Sequence, residues 1–194
     1  MNTVTLQKGG NISLTKAAPN MTNMLLGLGW KARETEGVDF DLDASVYMLT
    51  TNEKVRSDSD FVFYAQPKSP CGSVVYHGDN QEGGDAGSDA EEVTLKLNDI
   101  PTDIAKIVVV VTIYNAQERG QNFGQVESAY IRAVNEDTKE EIARFDLTED
   151  AALETGMLFG EIYRHNGEWK FKAIGQGITG GLLDYNKKYN VKIT

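Results

Sequence analysis

At 194 residues, with 40% hydrophobic and 25% charged side chains, the chain is long enough for one domain with a sizeable core and short for two. Its formal net charge of −10 argues against nucleic acid as a partner, because phosphate binding needs a basic footprint. The single cysteine, Cys71, excludes an internal disulfide framework, and no apolar run approaches the length needed to span a bilayer.

Taken in chain order, the N-terminal MNTVTLQKGGNISLTK has no apolar stretch of the signal-peptide kind, so a soluble cytoplasmic protein is expected. The glycosylation patterns NIS at 11–13 and NMT at 20–22 are then incidental. Short runs of β-branched and alternating apolar residues predict strands near 11–15, 24–30, 42–49, 61–64 and 73–77. Val93, Leu95 and Leu97 alternate with polar neighbours, and KIVVVVTIY over 106–114 reads as a strand buried on both faces. Further strands are expected near 126–134, 141–146 and 158–164. The clearest alternation is in 168–174, with Trp169, Phe171 and Ala173 on one face and Glu168, Lys170 and Lys172 on the other. Helix is minor. Thr148 can cap a short helix over 149–155, NAQERGQNFG (115–124) reads as a turn or short helix, and LLDYNKKY (182–189) reads as a C-terminal helix after Gly180-Gly181. The expected fold is all-β, an antiparallel β-sandwich of two sheets with short helices, and residues 1–194 form a single domain.

The charge is segregated. Residues 34–53 carry six acids (Glu34, Glu36, Asp39, Asp41, Asp43, Glu53) and no Lys or Arg. Residues 69–95 carry six more (Asp79, Glu82, Asp85, Asp89, Glu91, Glu92), again without Lys or Arg. The remainder holds 17 acids against 19 bases, so the acidic excess lies in these two segments. In an extended DFDLDAS (39–45), Asp39, Asp41 and Asp43 share one face at intervals of about 7 Å, while Phe40, Leu42, Ala44, Val46 and Met48 turn to the core. A hard cation turns such repulsion into attraction, and Ca²⁺ takes several oxygens from flexible carboxylates and carbonyls more readily than Mg²⁺ does. In the second segment Asp79, Asp85, Asp89, Glu91 and Glu92 offer carboxylates and Asn80 an amide oxygen, among glycines that let backbone carbonyls turn inward. Strand ends distant in sequence meet at one pole of a sandwich, so the two segments can converge on one or two ions. Solvated acidic turns are the competing reading.

Other motifs carry less. Asp39-x-Asp41-x-Asp43 opens like an EF-hand loop, but Ala44 and Thr50 stand where that motif needs Gly and Glu. Gly27-Leu-Gly-Trp-Lys-Ala32 matches a dinucleotide-binding pattern without its strand–turn–helix context, and is expected to be a tight turn beside a core Trp30. His77 and His165 have no Ser or Cys nucleophile in a catalytic setting, Cys71 sits in a Pro-Cys-Gly turn, and Glu161 with Glu168 reads as strand surface rather than an acid/base pair. No catalytic residue is expected.

Gly27-Leu-Gly-Trp30, Phe40-Asp-Leu-Asp-Ala-Ser45, Gly78-Asp-Asn80, Gln121-Asn-Phe-Gly-Gln-Val126, Ala143-Arg-Phe-Asp-Leu-Thr-Glu-Asp-Ala151 and Glu161-Ile-Tyr-Arg-His-Asn-Gly-Glu-Trp-Lys-Phe171 together resemble the TerD family of tellurium-resistance and general-stress proteins. The resemblance runs over nearly the whole chain in order. It implies a β-sandwich that binds Ca²⁺ through the DFDLD segment and the acidic glycine-rich loop. It also implies a bacterial operon setting with other stress or tellurium-resistance proteins as partners. The expected ligand set is Asp39, Asp41, Asp43, Asp79, Asn80, Asp89 and Glu91, with Asp85 and Glu92 as further candidates. The chain departs from the family pattern where Glu82 replaces a Thr and Ala90 replaces the second Asp of a pair. One ligand is therefore lost or supplied by Glu92, Glu82 or Asp85. One thiol on an acidic protein is a poor reagent for an oxidising oxyanion, which argues for a Ca²⁺-dependent interaction module over direct tellurite chemistry. The alternative is a metal-assisted enzyme acting on a phosphorylated or nucleotide substrate at the same pole, with His77 as base.

Overall fold

The computed structural model describes residues 3–32, 40–79, 89–147 and 153–193, the side chains of Ala32, Asp79 and Glu127 excepted. The strands, in chain order, are β1 (Val4–Thr5), β2 (Asn11–Ser13), β3 (Asn23–Ala32), β4 (Leu42–Leu49), β5 (Phe61–Val62), β6 (Val74–Asp79), β7 (Glu91–Lys96), β8 (Lys106–Ile113), β9 (Val126–Asn135), β10 (Glu140–Leu147), β11 (Gly156–His165) and β12 (Glu168–Ile178). Among the described residues three short helices accompany them, α1 (Leu14–Ala17), α2 (Ala116–Arg119) and α3 (Leu182–Tyr189). The strands form two six-stranded sheets. The first has the order β1-β10-β9-β3-β7-β6 and the second β2-β12-β11-β8-β4-β5. Among the described residues every strand pairing is antiparallel except β1 with β10. This is the two-sheet sandwich that the strand pattern predicts.

The inner faces meet in one apolar layer. Met24, Leu26 and Leu28 of β3 and Ile131 and Ala133 of β9 face Leu42, Ala44, Val46 and Met48 of β4 and Ile107, Val109 and Val111 of β8. A second layer covers the outer face of the β4–β8 sheet. There Tyr47, Leu49, Phe61, Val108 and Val110 pack beneath Tyr185 and Tyr189 of α3. Burial on both faces explains why β8 is continuously apolar, since neither parity reaches water. It also explains why β4 is buried at every position but Asp43, so the simple in–out alternation expected for 39–48 does not hold. In β12, Trp169, Phe171 and Ala173 are buried and their neighbours are half-buried, as the alternation predicts.

Local chemistry sets the turns. Asn166 (φ 51°) and Gly167 (φ 77°) are both left-handed between the paired His165 and Glu168, the two-residue hairpin geometry that an Asn-Gly pair favours. Ser13 accepts from the Lys16 N–H at 3.2 Å and caps α1, ending the strand predicted to reach residue 15. Residues 115–124 hold α2 and a 3₁₀ turn over Phe123–Gln125. The helix expected over 149–155 falls largely outside the described residues, and 153–155 are not helical.

Candidate functional site

The DFDLD segment runs into β4 at an open corner of the sandwich. β5 pairs only with Val46 and Tyr47, so among the described residues the edge of β4 ahead of Val46 has no ladder partner on that side. Glu91 fills the gap from the other sheet. It opens β7, opposite Leu28 of β3 and Asp79 of β6, and its Oε2 accepts the Ala44 N–H at 2.9 Å. Glu91 is 0% exposed. Sinking a carboxylate that far from water is costly unless hydrogen bonds and opposite charge compensate it. Asp43, half-buried one residue before Ala44, lines a cavity of about 370 Å³ with Tyr64, Pro67, Tyr76, His77 and Gly78. Asp41 is exposed just ahead of β4, where its carbonyl accepts the Tyr114 N–H at 2.8 Å. The beginning of β4 and the two strands flanking the acidic loop therefore meet at one corner.

Asp89 lies elsewhere. Its carboxylate sits on the outer face of the β3 sheet, where Arg132 Nε and Nη2 reach Oδ1 and Oδ2 at 2.9 and 2.8 Å and Tyr130 Oη donates to Oδ1 at 2.9 Å. Arg132 Nη1 also bonds Glu141 at 3.2 Å, and the Arg144 guanidinium lies 3.8 Å over the Tyr130 ring. Hydrogen bonds to Asp89 raise the Arg132 pKa against the cost of burial. Burial first, then the Asp89 charge, pushes the Tyr130 phenol up to about 12.

Two glycines make room for this cluster. A Cβ on Gly27 would meet Asp89 Oδ2 at 2.0 Å, and one on Gly29 would meet the Tyr130 ring at 2.3 Å. Gly27-Leu-Gly-Trp is thus the middle of β3, with Leu26 and Leu28 inward and the glycines under the ion pair. The tight turn expected there does not form. Trp30 is only partly buried, packed against the core rather than within it. No basic residue stands near Asp89 in the sequence, but strand pairing delivers one, because Gly27 pairs with both Arg132 of β9 and Glu92 of β7. Arg132 and Tyr130 were not legible as site residues. The available signal was a pair of glycines alternating with leucines in a strand, which marks a close approach from outside.

The expected ligands therefore divide. Asp43 and Glu91 approach the corner on either side of Ala44, and Asp41 is exposed just ahead of it. Asp89 and the half-buried Glu92 belong to the opposite face of the sheet. Asp79 ends β6 across from Glu91, with its side chain outside the described part. Asp39, Asn80, Glu82 and Asp85 lie outside the described residues. Among the described residues no three His, Cys, Asp or Glu side chains are grouped so as to hold a metal ion.

The remaining motif residues have structural partners. His77 Nε2 is 2.8 Å from Thr94 Oγ1, which donates to Glu136 at 3.3 Å. Glu161 pairs with Lys106 at 3.0 Å and Glu168 with Lys16 at 2.8 Å, so the two carboxylates work separately. The exposed Cys71 lies 3.0 Å from Ser73 Oγ; burial opposes its thiolate, but hydrogen bonds with Ser69 and Ser73 outweigh this and lower its pKa. No helix among the described residues is long and apolar enough to cross a membrane.

Comparison with known proteins agrees with this architecture. The family model described as TerD domain matches residues 2–189. The chain is 57% identical over 188 residues to a tellurium resistance protein TerD of Serratia marcescens, covering 97% of each. It is 47% identical over 192 residues to general stress protein 16U of Bacillus subtilis (strain 168), covering 98% of this chain and 99% of that one. The fold matches the crystal structure of a homologue of telluride resistance protein (TerD) from Streptomyces coelicolor A3(2), with a TM-score of 0.66 at 18% identity over 86% of this chain and 95% of the other. With two sheets in this order, the Gly-x-Gly strand and the acidic corner in place, the chain belongs to the TerD domain family.

Proposed function

We propose that this protein is a calcium-binding stress-response protein of the tellurium-resistance type, whose acidic corner is a Ca²⁺-dependent interaction site. The observation that supports it most is the reach of Glu91 from one sheet to the Ala44 N–H of the other, next to Asp43. It joins two segments that are far apart in sequence and both rich in acid.

The donor chemistry fits a hard cation. Asp41, Asp43 and Glu91 offer carboxylate oxygens from the described residues, and Asp39, Asp79, Asn80 and Asp85 are the expected donors from the flanking segments. When bound, Ca²⁺ supplies the positive charge that a corner with this much acid otherwise lacks in its own sequence neighbourhood. The corner then changes from repelling anions to accepting them, which suits a docking surface for a protein partner from a shared stress response in the cytoplasm. An enzymatic reading with His77 as base has less support, since its Nε2 is held by Thr94.

The test is a calorimetric Ca²⁺ titration of chelator-stripped protein against Asp41→Ala with Asp43→Ala. The variant is expected to bind at least about tenfold more weakly, as loss of anionic ligands from a Ca²⁺ site requires. An unchanged affinity contradicts the site.

A further inference from the structure

We infer that Arg132 is a positioning residue for the proposed cation site, holding Asp89 on the outer face of the β3 sheet so that Glu91, two residues on, turns inward to Ala44. The inference rests on the calcium reading above.

Residues two apart in a regular strand share a face. Asp89 and Glu91 do not. Asp89 lies over Gly27 on the outer face, and Glu91 crosses the interior to Ala44. The ladder shows how. Ala90 N–H donates to the Leu28 carbonyl at 2.7 Å, while Glu91 is the register partner of the same Leu28. The regular ladder ends at this pair, so the chain leaves strand register at Ala90, and the alternation of faces no longer ties Asp89 to Glu91. Were the strand regular back through residue 89, the Asp89 face would be the Glu91 face.

Something must hold the chain in that irregular step. The Asp89 side chain is 1% exposed and bound at two points by the planar Arg132 guanidinium and at a third by Tyr130, with Gly27 and Gly29 cleared beneath. A two-point fork fixes orientation as well as position. Arg132 is itself held by Glu141 of β10. The chain enters β7 from one fixed point, and the inward turn of Glu91 follows from it. The same pair takes Asp89 out of the ligand set, because its oxygens are committed to a cation the protein already owns.

Ca²⁺ titration of wild type, Arg132→Lys, Arg132→Gln and Asp89→Asn tests this, each stripped of metal and shown folded by circular dichroism at the titration temperature. Lysine keeps the charge and removes the fork, so any loss of affinity is not Coulombic. Arg132→Lys is expected to weaken Ca²⁺ binding about 10–100-fold, the range for groups that orient metal ligands. Arg132→Gln is expected to weaken it too, although losing a positive charge alone would tighten cation binding. Asp89→Asn keeps one acceptor oxygen but sets an amide NH2 against an Arg132 N–H, so it too loses the two-point fork and is expected to weaken binding within the same range. A purely structural ion pair would lower the melting temperature of the metal-free variants and leave the affinity of folded protein unchanged, and that result overturns the inference. So does tighter binding in Arg132→Lys, which would make Asp89 a ligand that Arg132 competes for; the calcium reading survives both. Wild type that binds no Ca²⁺ overturns both. Should Arg132→Gln fail to fold, Arg132→Lys decides alone.

Discussion

Gly27 shows how much a single missing side chain can carry. Alanine is ordinarily the better strand residue, since glycine adds backbone entropy to the unfolded state and packs nothing. At this position the methyl would sit 2.0 Å from a carboxylate oxygen locked in a buried ion pair. Gly27→Ala is therefore expected to destabilise by about 1–3 kcal/mol, the cost of overpacking a filled site. Breaking the pair adds to that, because an uncompensated buried charge is costly. The urea midpoint reports it, and a midpoint equal to or above that of the wild type contradicts the account. The sequence alone could not reveal this. Asp89 lies 62 positions from Gly27, and a lone arginine in a strand reads as solvent-facing until pairing places it over a glycine.

The elements themselves were largely legible. Alternation located β12, and the continuous apolar run located β8. What escaped were elements too short to carry a period, such as β1 at Val4–Thr5, and the second apolar layer that removes the alternation from β4. That layer exists because α3 lies on the outer face of the sheet. Tyr47 Oη donates to Asn186 Oδ1 at 2.8 Å, and Asn186 Nδ2 donates to the Ile193 carbonyl at 3.1 Å, tying helix and tail to β4. Burial raises the Tyr47 phenol far above its ordinary pKa, so it stays a donor through the working pH range. Tyr47→Phe deprives a buried amide oxygen of its donor and is expected to cost about 1–3 kcal/mol. Hydrogen exchange over residues 182–189 should quicken with it. Protection unchanged from the wild type would show that apolar contacts alone hold α3.

At the scale of the molecule, two sheets each bring half of an acidic corner. One contributes Asp43 in β4 with Asp41 just ahead of it, the other Glu91 at the start of β7, whose side-chain carboxylate accepts the Ala44 N–H across the sheets. The convergence followed from charge segregation and sandwich topology. The division of the acids between two faces did not, because it depends on the chain leaving strand register at Ala90 and on the partner of Asp89. If the corner is a cation site, metal binding and folding are linked, since the unfolded chain cannot bring 41–43 and 91 together. Thermal melting of chelator-stripped protein with added Ca²⁺, and Mg²⁺ as the control, tests this most directly. Ca²⁺ at 100 times its dissociation constant adds about 2.7 kcal/mol per site, or roughly 5–10 °C for a chain of this size. A rise of that order with Ca²⁺ and not with Mg²⁺ is the predicted result. An unshifted melt at millimolar Ca²⁺ would contradict the proposed site.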